Sequence, residues 1–331
     1  MNHETRVQRM MFPQSNQSLQ AFGMYTDAEK YLWIAWLMVI LIVSLAGNLT
    51  VLIGSIRYNA IRLNKVTTTL IIHTAISDLG LIFTTIPTTI SLITDSLVYG
   101  KLFCEILRWV NGLFVRSSCL LVVALNCSKL ANLVWPVHST LWSRKRGHKI
   151  GGIIWIFSSF LVGITIMITS LQGVPTIFAP STLTCLSLIA DSNMATWLTF
   201  SIEVFLTTFV PIAIVFVTTT WLFVLLCKVA RRSRQRGSNM LLSLNMQGVL
   251  TVIGIAVLFV ITYAPKYGLW LYMMFHTSPN TTLVKVRAHR SVIYLIYLNC
   301  SCNFFIYVGS IKSFQRFIEI RVIPVVTFYL K

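Results

Sequence analysis

Charge is what this chain of 331 residues lacks most: only 11% of it is Asp, Glu, Lys or Arg, against roughly 25% in a soluble domain. So few charges cannot solvate the surface of a globule this size, which excludes a water-soluble enzyme. Acidic residues are the scarcest, nine against 27 Lys+Arg, for a net charge of +18. No self-similar period runs along the chain, whereas internal repeats are what a transporter often shows. A Ser/His/Asp set, a paired carboxylate and a Gly-rich phosphate loop are all missing from its polar segments, so no enzyme is expected. Metal-ligand spacing is missing too, because Cys300 and Cys302 point to divergent faces of a helix. The first 30 residues are polar, which leaves no cleavable signal peptide and makes the first apolar block the expected signal anchor.

What is abundant is apolar sequence, 56% of all residues. It falls into seven blocks long enough to span a bilayer, which takes about 20 residues in a helix. The blocks are Tyr31–Ile56, Val66–Thr94, Cys104–Val134, Ile150–Ser170, Trp197–Cys227, Met246–Phe275 and Ser291–Ile311. Their long Val/Ile/Leu/Phe runs lack the alternation of a barrel strand, so they are helices. The basic residues sit between these runs rather than in a polar patch, which points to anionic membrane lipid and not to nucleic acid.

Loop charge orients the bundle. Segments 57–65, 135–149, 228–238 and 311–331 carry 16 Lys+Arg, and those on the opposite side carry 7. The positive-inside bias puts the amino terminus outside and the carboxyl terminus in the cytoplasm. The acceptor sequences at Asn16 and Asn280 fall outside on this scheme and are candidate glycosylation sites. Similar matches at Asn48, Asn126 and Asn299 lie within spans and are chance. The expected organisation is an extracellular tail over 1–30, an all-α seven-transmembrane bundle over 31–311, and a short cytoplasmic tail with an amphipathic helix over 312–331.

Within the spans, polar and helix-breaking residues form a pattern. The first carries Gly47-Asn48 and Val51. The second carries His73-Thr74-Ala75-Ile76-Ser77-Asp78-Leu79, then Pro87. The third begins at Cys104 and reaches Pro136 through Ser128-Lys129-Leu130. Trp155 marks the fourth, Pro211 the fifth, and Phe259 with Tyr263-Ala264-Pro265 the sixth. The seventh ends Asn303-Phe304-Phe305-Ile306-Tyr307, with Phe314 beyond it. In register along all seven spans, roughly residues 31–320, this resembles the rhodopsin-like (class A) family of G-protein-coupled receptors. The departures are equally plain. The family's Asp-Arg-Tyr is Ser128-Lys129-Leu130, its Asn-Pro-x-x-Tyr has Phe304 for proline, its helix-six Trp is Tyr263, and its helix-five tyrosine is Thr219.

The resemblance implies a plasma-membrane, multi-pass receptor that passes extracellular ligand binding to a heterotrimeric G protein. It implies a disulfide between Cys104 and Cys185, an outer-face pair in an oxidising compartment. Five other cysteines, at 119, 127, 227, 300 and 302, are expected as small packing residues. Asp78 is a lone carboxylate in an otherwise uncharged span, which marks it as functional by default. The resemblance converges Ser118, Asn299 and Asn303 on it as a sodium pocket; a water-filled structural network is the alternative. Beyond Na⁺ no cofactor is expected.

Arg116 lies twelve residues inside Cys104, about 18 Å along the helix at 1.5 Å per residue. Glu203, in the outer half of the fifth span, is its candidate partner, either as a structural ion pair or as a second counter-charge for a ligand. Tyr263, Tyr267 and Trp270 share one face of the sixth span, with Lys266 beside them. Asn111 and Tyr297 occupy ligand-facing family positions. Aromatic walls with a few polar groups describe a ligand pocket, and the excess of Arg108, Arg116 and Lys266 over Glu105 and Glu203 tilts it toward an anionic ligand. Ser128, Lys129, Leu130 and Tyr307 are the expected coupling residues. Two rival functions remain in view: a receptor-like scaffold or scavenger that does not couple, and a small transporter or channel using Asp78, Arg116 and Glu203 as a charge path.

Overall fold

In a computed structural model, which describes residues 27–94, 101–135, 143–171, 176–179, 184–187, 201, 205–236, 240–275 and 282–324, the chain is almost entirely helical. Among the described residues, seven helices are long and apolar enough to cross a bilayer. The first span is Asp27–Arg57, the second Lys65–Phe83, the third Lys101–Val134 and the fourth Arg144–Leu171. A π-helical turn, Phe205–Phe209, leads into the fifth, Val210–Arg236; the sixth is Met240–Phe275 and the seventh Thr282–Ser310. One antiparallel hairpin, β1 (Thr176–Ala179) with β2 (Thr184–Ser187), lies between the fourth and fifth spans and packs on the third.

Local chemistry explains the helix ends. The Asn64 side chain caps the second span by accepting from the Val66 amide at 2.9 Å, satisfying a donor that would have no partner within the helix. The apolar block runs to Thr94, but the helix stops at Phe83 and a ten-residue helix, Thr85–Thr94, resumes it. Pro87 has no amide hydrogen for the carbonyl four residues back, and the hydroxyls of Thr84 and Thr85 donate to Leu81 and Ile82 carbonyls at 2.6 and 2.7 Å. The fourth span starts at Arg144, six residues earlier than the apolar pattern indicates. The added turns carry Arg144, Lys145, Arg146 and Lys149, good helix formers that extend the helix beyond its apolar run. The seventh span is continuous through Phe304, because phenylalanine keeps the amide that proline would remove.

The third span is central, packing on the second, fourth, fifth and sixth, while the seventh closes the bundle against the first, second and sixth. Leu70, Ile71, Leu121, Leu125 and Phe259 are fully buried at its core, while Ile156, Phe160, Phe216 and Ile261 face outward. Apolar residues on the outside are the right solution when the solvent is lipid, and helix association then rests on close packing and buried polar bonds. After the seventh span the short helix Lys312–Phe317 and a π-helical turn, Ile318–Val322, turn along the bundle, anchored by buried Phe314.

Candidate functional site

Three polar regions lie inside the bundle, one above the other. In the middle, Asp78 is completely buried. Its Oδ2 accepts from Asn303 Nδ2 at 2.8 Å, a bond between the second and seventh spans. Ser118 and Cys300 also come within reach of the carboxyl group. Asn299 does not: its amide donates to Thr262 Oγ1 at 2.9 Å and ties the seventh span to the sixth. Of the three residues expected around Asp78, then, Asn303 and Ser118 meet its carboxyl and Asn299 serves a neighbouring bond. Asn48 adds a bond from the first span to the Cys300 carbonyl, at 3.0 Å. Asp78 Oδ1, Asn303 Oδ1 and the hydroxyls of Tyr263 and Tyr307 are buried without a hydrogen-bond partner among the described residues. Oxygens of this kind fit a small hard cation.

Above this layer lies the outer half of the bundle. Asn111 Nδ2 donates to Thr84 Oγ1 at 2.8 Å and reaches the Tyr297 hydroxyl at 3.4 Å, so the second, third and seventh spans meet there. Tyr297 is buried and its ring lies 6.4 Å from that of Tyr294, which stacks on Trp33 at 4.6 Å. On the opposite wall the Lys266 ammonium sits 5.8 Å over the Tyr267 ring. Arg116 and Lys266 interact electrostatically with one another, and Arg116 also with Tyr267. Arg116 on the third span and Lys266 on the sixth are thus both placed in this half of the bundle. The Arg116 guanidinium folds back one turn toward the outer end, where a methyl group added to Gly112 would stand 2.7 Å from Nη1. Helical side chains lean toward their own amino terminus, so Arg116 reaches nearer the outer surface than its backbone depth indicates. Tyr263 is fully buried, 4.7 Å from Phe259, and forms the floor rather than a wall. Phe209 of the π-helical turn meets Tyr267 at 6.0 Å.

At the inner end Ser128 and Lys129 are buried at 3% and 4% exposure, and Tyr307 at 1%. Lys129 Nζ lies against the sixth span at Gly248, where an added methyl would stand 2.5 Å from the nitrogen. Thr219, in place of the family's tyrosine, donates to Asn126 Oδ1 at 2.9 Å and links the third and fifth spans. Thr251 and Ser310 link the sixth and seventh at 2.6 Å.

Several expected residues lie outside the described set: Asn16, Glu203 and Asn280 entirely, and the side chains of Cys104, Cys185 and Trp270. The backbone places Cys185 opposite Phe178 in the hairpin that packs on the third span. The other five cysteines are free thiols. Sequence reasoning missed Thr84, Thr262 and Gly248, whose partners lie 27, 37 and 119 positions away along the chain. A threonine or glycine inside a span carries no signal of its own, since either also occurs as plain packing.

A closed bundle of seven spans, with an outer aromatic space above a buried carboxyl, defines a seven-helix receptor fold. The model of the 7 transmembrane receptor (rhodopsin family) matches residues 47–307, and the chain belongs to that family. Squid rhodopsin superposes with a TM-score of 0.75 over 92% of this chain and 88% of its own, at 17% identity, a likeness of fold. A cholecystokinin receptor of Xenopus laevis is 25% identical over 141 residues, which are 41% of this chain but only 31% of that receptor. The family is one of seven-span membrane receptors and not of enzymes, and the protein is a multi-pass membrane protein.

Proposed function

We propose that the protein is a plasma-membrane receptor whose amino terminus is outside, that it takes an anionic ligand in its outer half, and that it signals to a G protein. The observation that carries the ligand class is the Lys266 ammonium over the Tyr267 ring, in the half of the bundle that also holds Arg116. Cations inside a bundle of apolar helices favour an anionic ligand over a neutral or cationic one. Glu203 is the rival anion within the chain itself. Family membership supports the receptor over a transporter. The Asp78 layer is read as a sodium site held by Asp78, Asn303 and Ser118, where the ion would neutralise the carboxyl in the resting state. The Cys104–Cys185 bond and glycans on Asn16 and Asn280 complete the outer face.

The test is a screen of carboxylate- and phosphate-bearing ligands against cells carrying several G-protein sensors. Arg116→Ala should weaken the response to a hit by about tenfold or more, the worth of one charge-assisted bond. Glu203→Ala should weaken it less. Equal losses, restored by exchanging the two charges, would make Arg116 and Glu203 a structural pair. A second reading, ligand binding without coupling, draws on Ser128-Lys129-Leu130, and binding with silence from every sensor would establish it.

A further inference from the structure

Histidine is scarce, six in 331 residues, yet two of them meet in the inner half of the bundle. His73 Nε2 of the second span lies 3.2 Å from His148 Nδ1 of the fourth, with the rings edge to face at 5.4 Å. The other ring nitrogen of His73 is engaged as well, because Trp155 Nε1 donates to His73 Nδ1 at 3.1 Å. Both contacts cross between the second and fourth spans. Two glycines allow so close an approach: a methyl added to Gly151 would stand 2.5 Å from the His73 ring, and one added to Gly147 would stand 2.8 Å from Thr69. The Trp155 indole meets Phe114 of the third span edge to face at 5.6 Å, which fixes the direction of its N–H.

These contacts assign every proton. An indole N–H only donates, so His73 Nδ1 is bare and a neutral His73 carries its proton on Nε2. That proton is donated to His148 Nδ1, which is bare in turn, and a neutral His148 carries its own proton on Nε2. With both bonds made, the pair holds two protons, one on each ring. A third has no place. On His148 Nδ1 it sets two N–H groups against each other, and on His73 Nδ1 it opposes the indole. One added proton therefore breaks one of the two bonds, whichever ring receives it. A metal bridging the rings meets the same obstacle: His73 bound through Nε2 would need its proton on Nδ1, facing the indole N–H.

The surroundings offer a charged pair no anion. The acids of the second, third and fourth spans are Asp78 and Glu105 alone. Asp78 is engaged by Asn303 of the seventh span, and Glu105 stands near the outer end of the third. The other titratable groups of the inner halves are basic or thiol. Lys65 opens the second span, Arg144, Lys145, Arg146 and Lys149 open the fourth, and on the third Cys127 is exposed while Lys129 turns to Gly248 of the sixth. His138, before the fourth span, lies outside the described residues. We propose that His73 and His148 form a proton-operated latch between the second and fourth spans, closed while the pair is neutral and opened by one proton. Histidine ionises at about pH 6.5, and a bond that the folded receptor gives up on taking a proton is stability lost as pH falls.

The test follows the Tm of the full-length receptor, purified in detergent, from about pH 8 to about pH 5.5, which brackets histidine ionisation. The native Tm should fall across this range by about 2 °C or more, the shift that one lost hydrogen bond brings. His148→Gln keeps an amide oxygen to accept from His73 and has nothing to titrate, so it should match the native receptor at the alkaline end and lose most of the fall. Trp155→Phe keeps a ring against Phe114 but frees His73 Nδ1 for the third proton. It should lower Tm throughout yet remove the fall, because a doubly protonated His73 still donates to His148. His138→Gln, which removes a histidine outside the pair, should leave the native profile as it is. A native profile without the fall, a fall that survives His148→Gln or Trp155→Phe, or one that His138→Gln removes would overturn the latch. Zinc chloride that raises the Tm of the native receptor and not of His148→Gln would replace it with a metal site.

Discussion

The middle of the bundle and its inner end are held by different physics. In the middle, Asp78–Asn303, Asn48–Cys300 and Asn299–Thr262 are buried bonds of 2.8–3.0 Å joining the second, first and sixth spans to the seventh. At the inner end the third and sixth spans meet through Lys129 lying on Gly248, a contact of packing. Buried polar bonds are directional and costly to leave unmade, whereas a flexible lysine on a glycine surface can slide away. The third and sixth spans are therefore joined more loosely at the inner end than the seventh is to its neighbours, even though Thr219–Asn126 and Thr251–Ser310 tie other pairs of spans at that end.

The largest effect should come from fixing or freeing the outer end. Cys104→Ala and Cys185→Ala should each lower surface expression, with the double variant no worse than either single one, since a disulfide is worth typically 2–4 kcal/mol. Mass spectrometry of non-reduced peptides checks the bond itself, and two free thiols in surface protein would leave the third span without that tie.

Next in size is the Asp78–Asn303 bond. Asp78→Leu leaves the Asn303 amide buried without its acceptor, at a cost of about 1–3 kcal/mol. It should also abolish the rise in Tm that sodium, substituted for choline, gives the native receptor. Bound ion at ten times its Kd would contribute about 1.4 kcal/mol. A native Tm indifferent to sodium would reduce Asp78 to a structural partner of Asn303.

Gly248→Ala probes the sliding contact. The new methyl overlaps Lys129 Nζ, and because the crowded atom ends a flexible chain the cost should lie near the low end of overpacking, roughly 1 kcal/mol. Ligand-free signalling should rise at matched surface expression. An unchanged baseline would show that Lys129 does not restrain the sixth span.

The smallest effect concerns the missing acid. Ser128→Asp with Lys129→Arg should strengthen agonist-driven coupling by an amount equivalent to about 1 kcal/mol or less, because arginine offers a planar fork that lysine lacks. Dose-response curves decide it. Strong native coupling that the double change leaves alone would show lysine to be sufficient.

The contrast between these regions was only half legible beforehand. Asp78 was conspicuous, since one carboxylate in an uncharged helix advertises itself. Its partner Asn303 followed from the family pattern, yet Asn299 was assigned to the same carboxyl and instead bonds Thr262. Side chains four positions apart on the seventh span share a face, and which neighbour each meets depends on how far the sixth span leans in. Lys129 was visible as an oddity, but its seat was not, because glycine carries no polarity or periodicity to mark it. The second span breaks at Phe83, four residues upstream of Pro87, because that is where the bond the proline cannot make would lie.

Sequence alone determined the number of spans, their helical nature and the charge asymmetry across the membrane, since hydrocarbon thickness and backbone hydrogen bonding leave an apolar run no other structure. It also determined the family through residues that recur at fixed places along those helices. Tertiary structure alone decided which polar groups pair, that Asn299 turns to Thr262 and not to Asp78, and that Lys129 lies on Gly248. Those outcomes turn on rotation, tilt and close approach of one helix against another, and short-range forces between side chains set them only once the helices have packed.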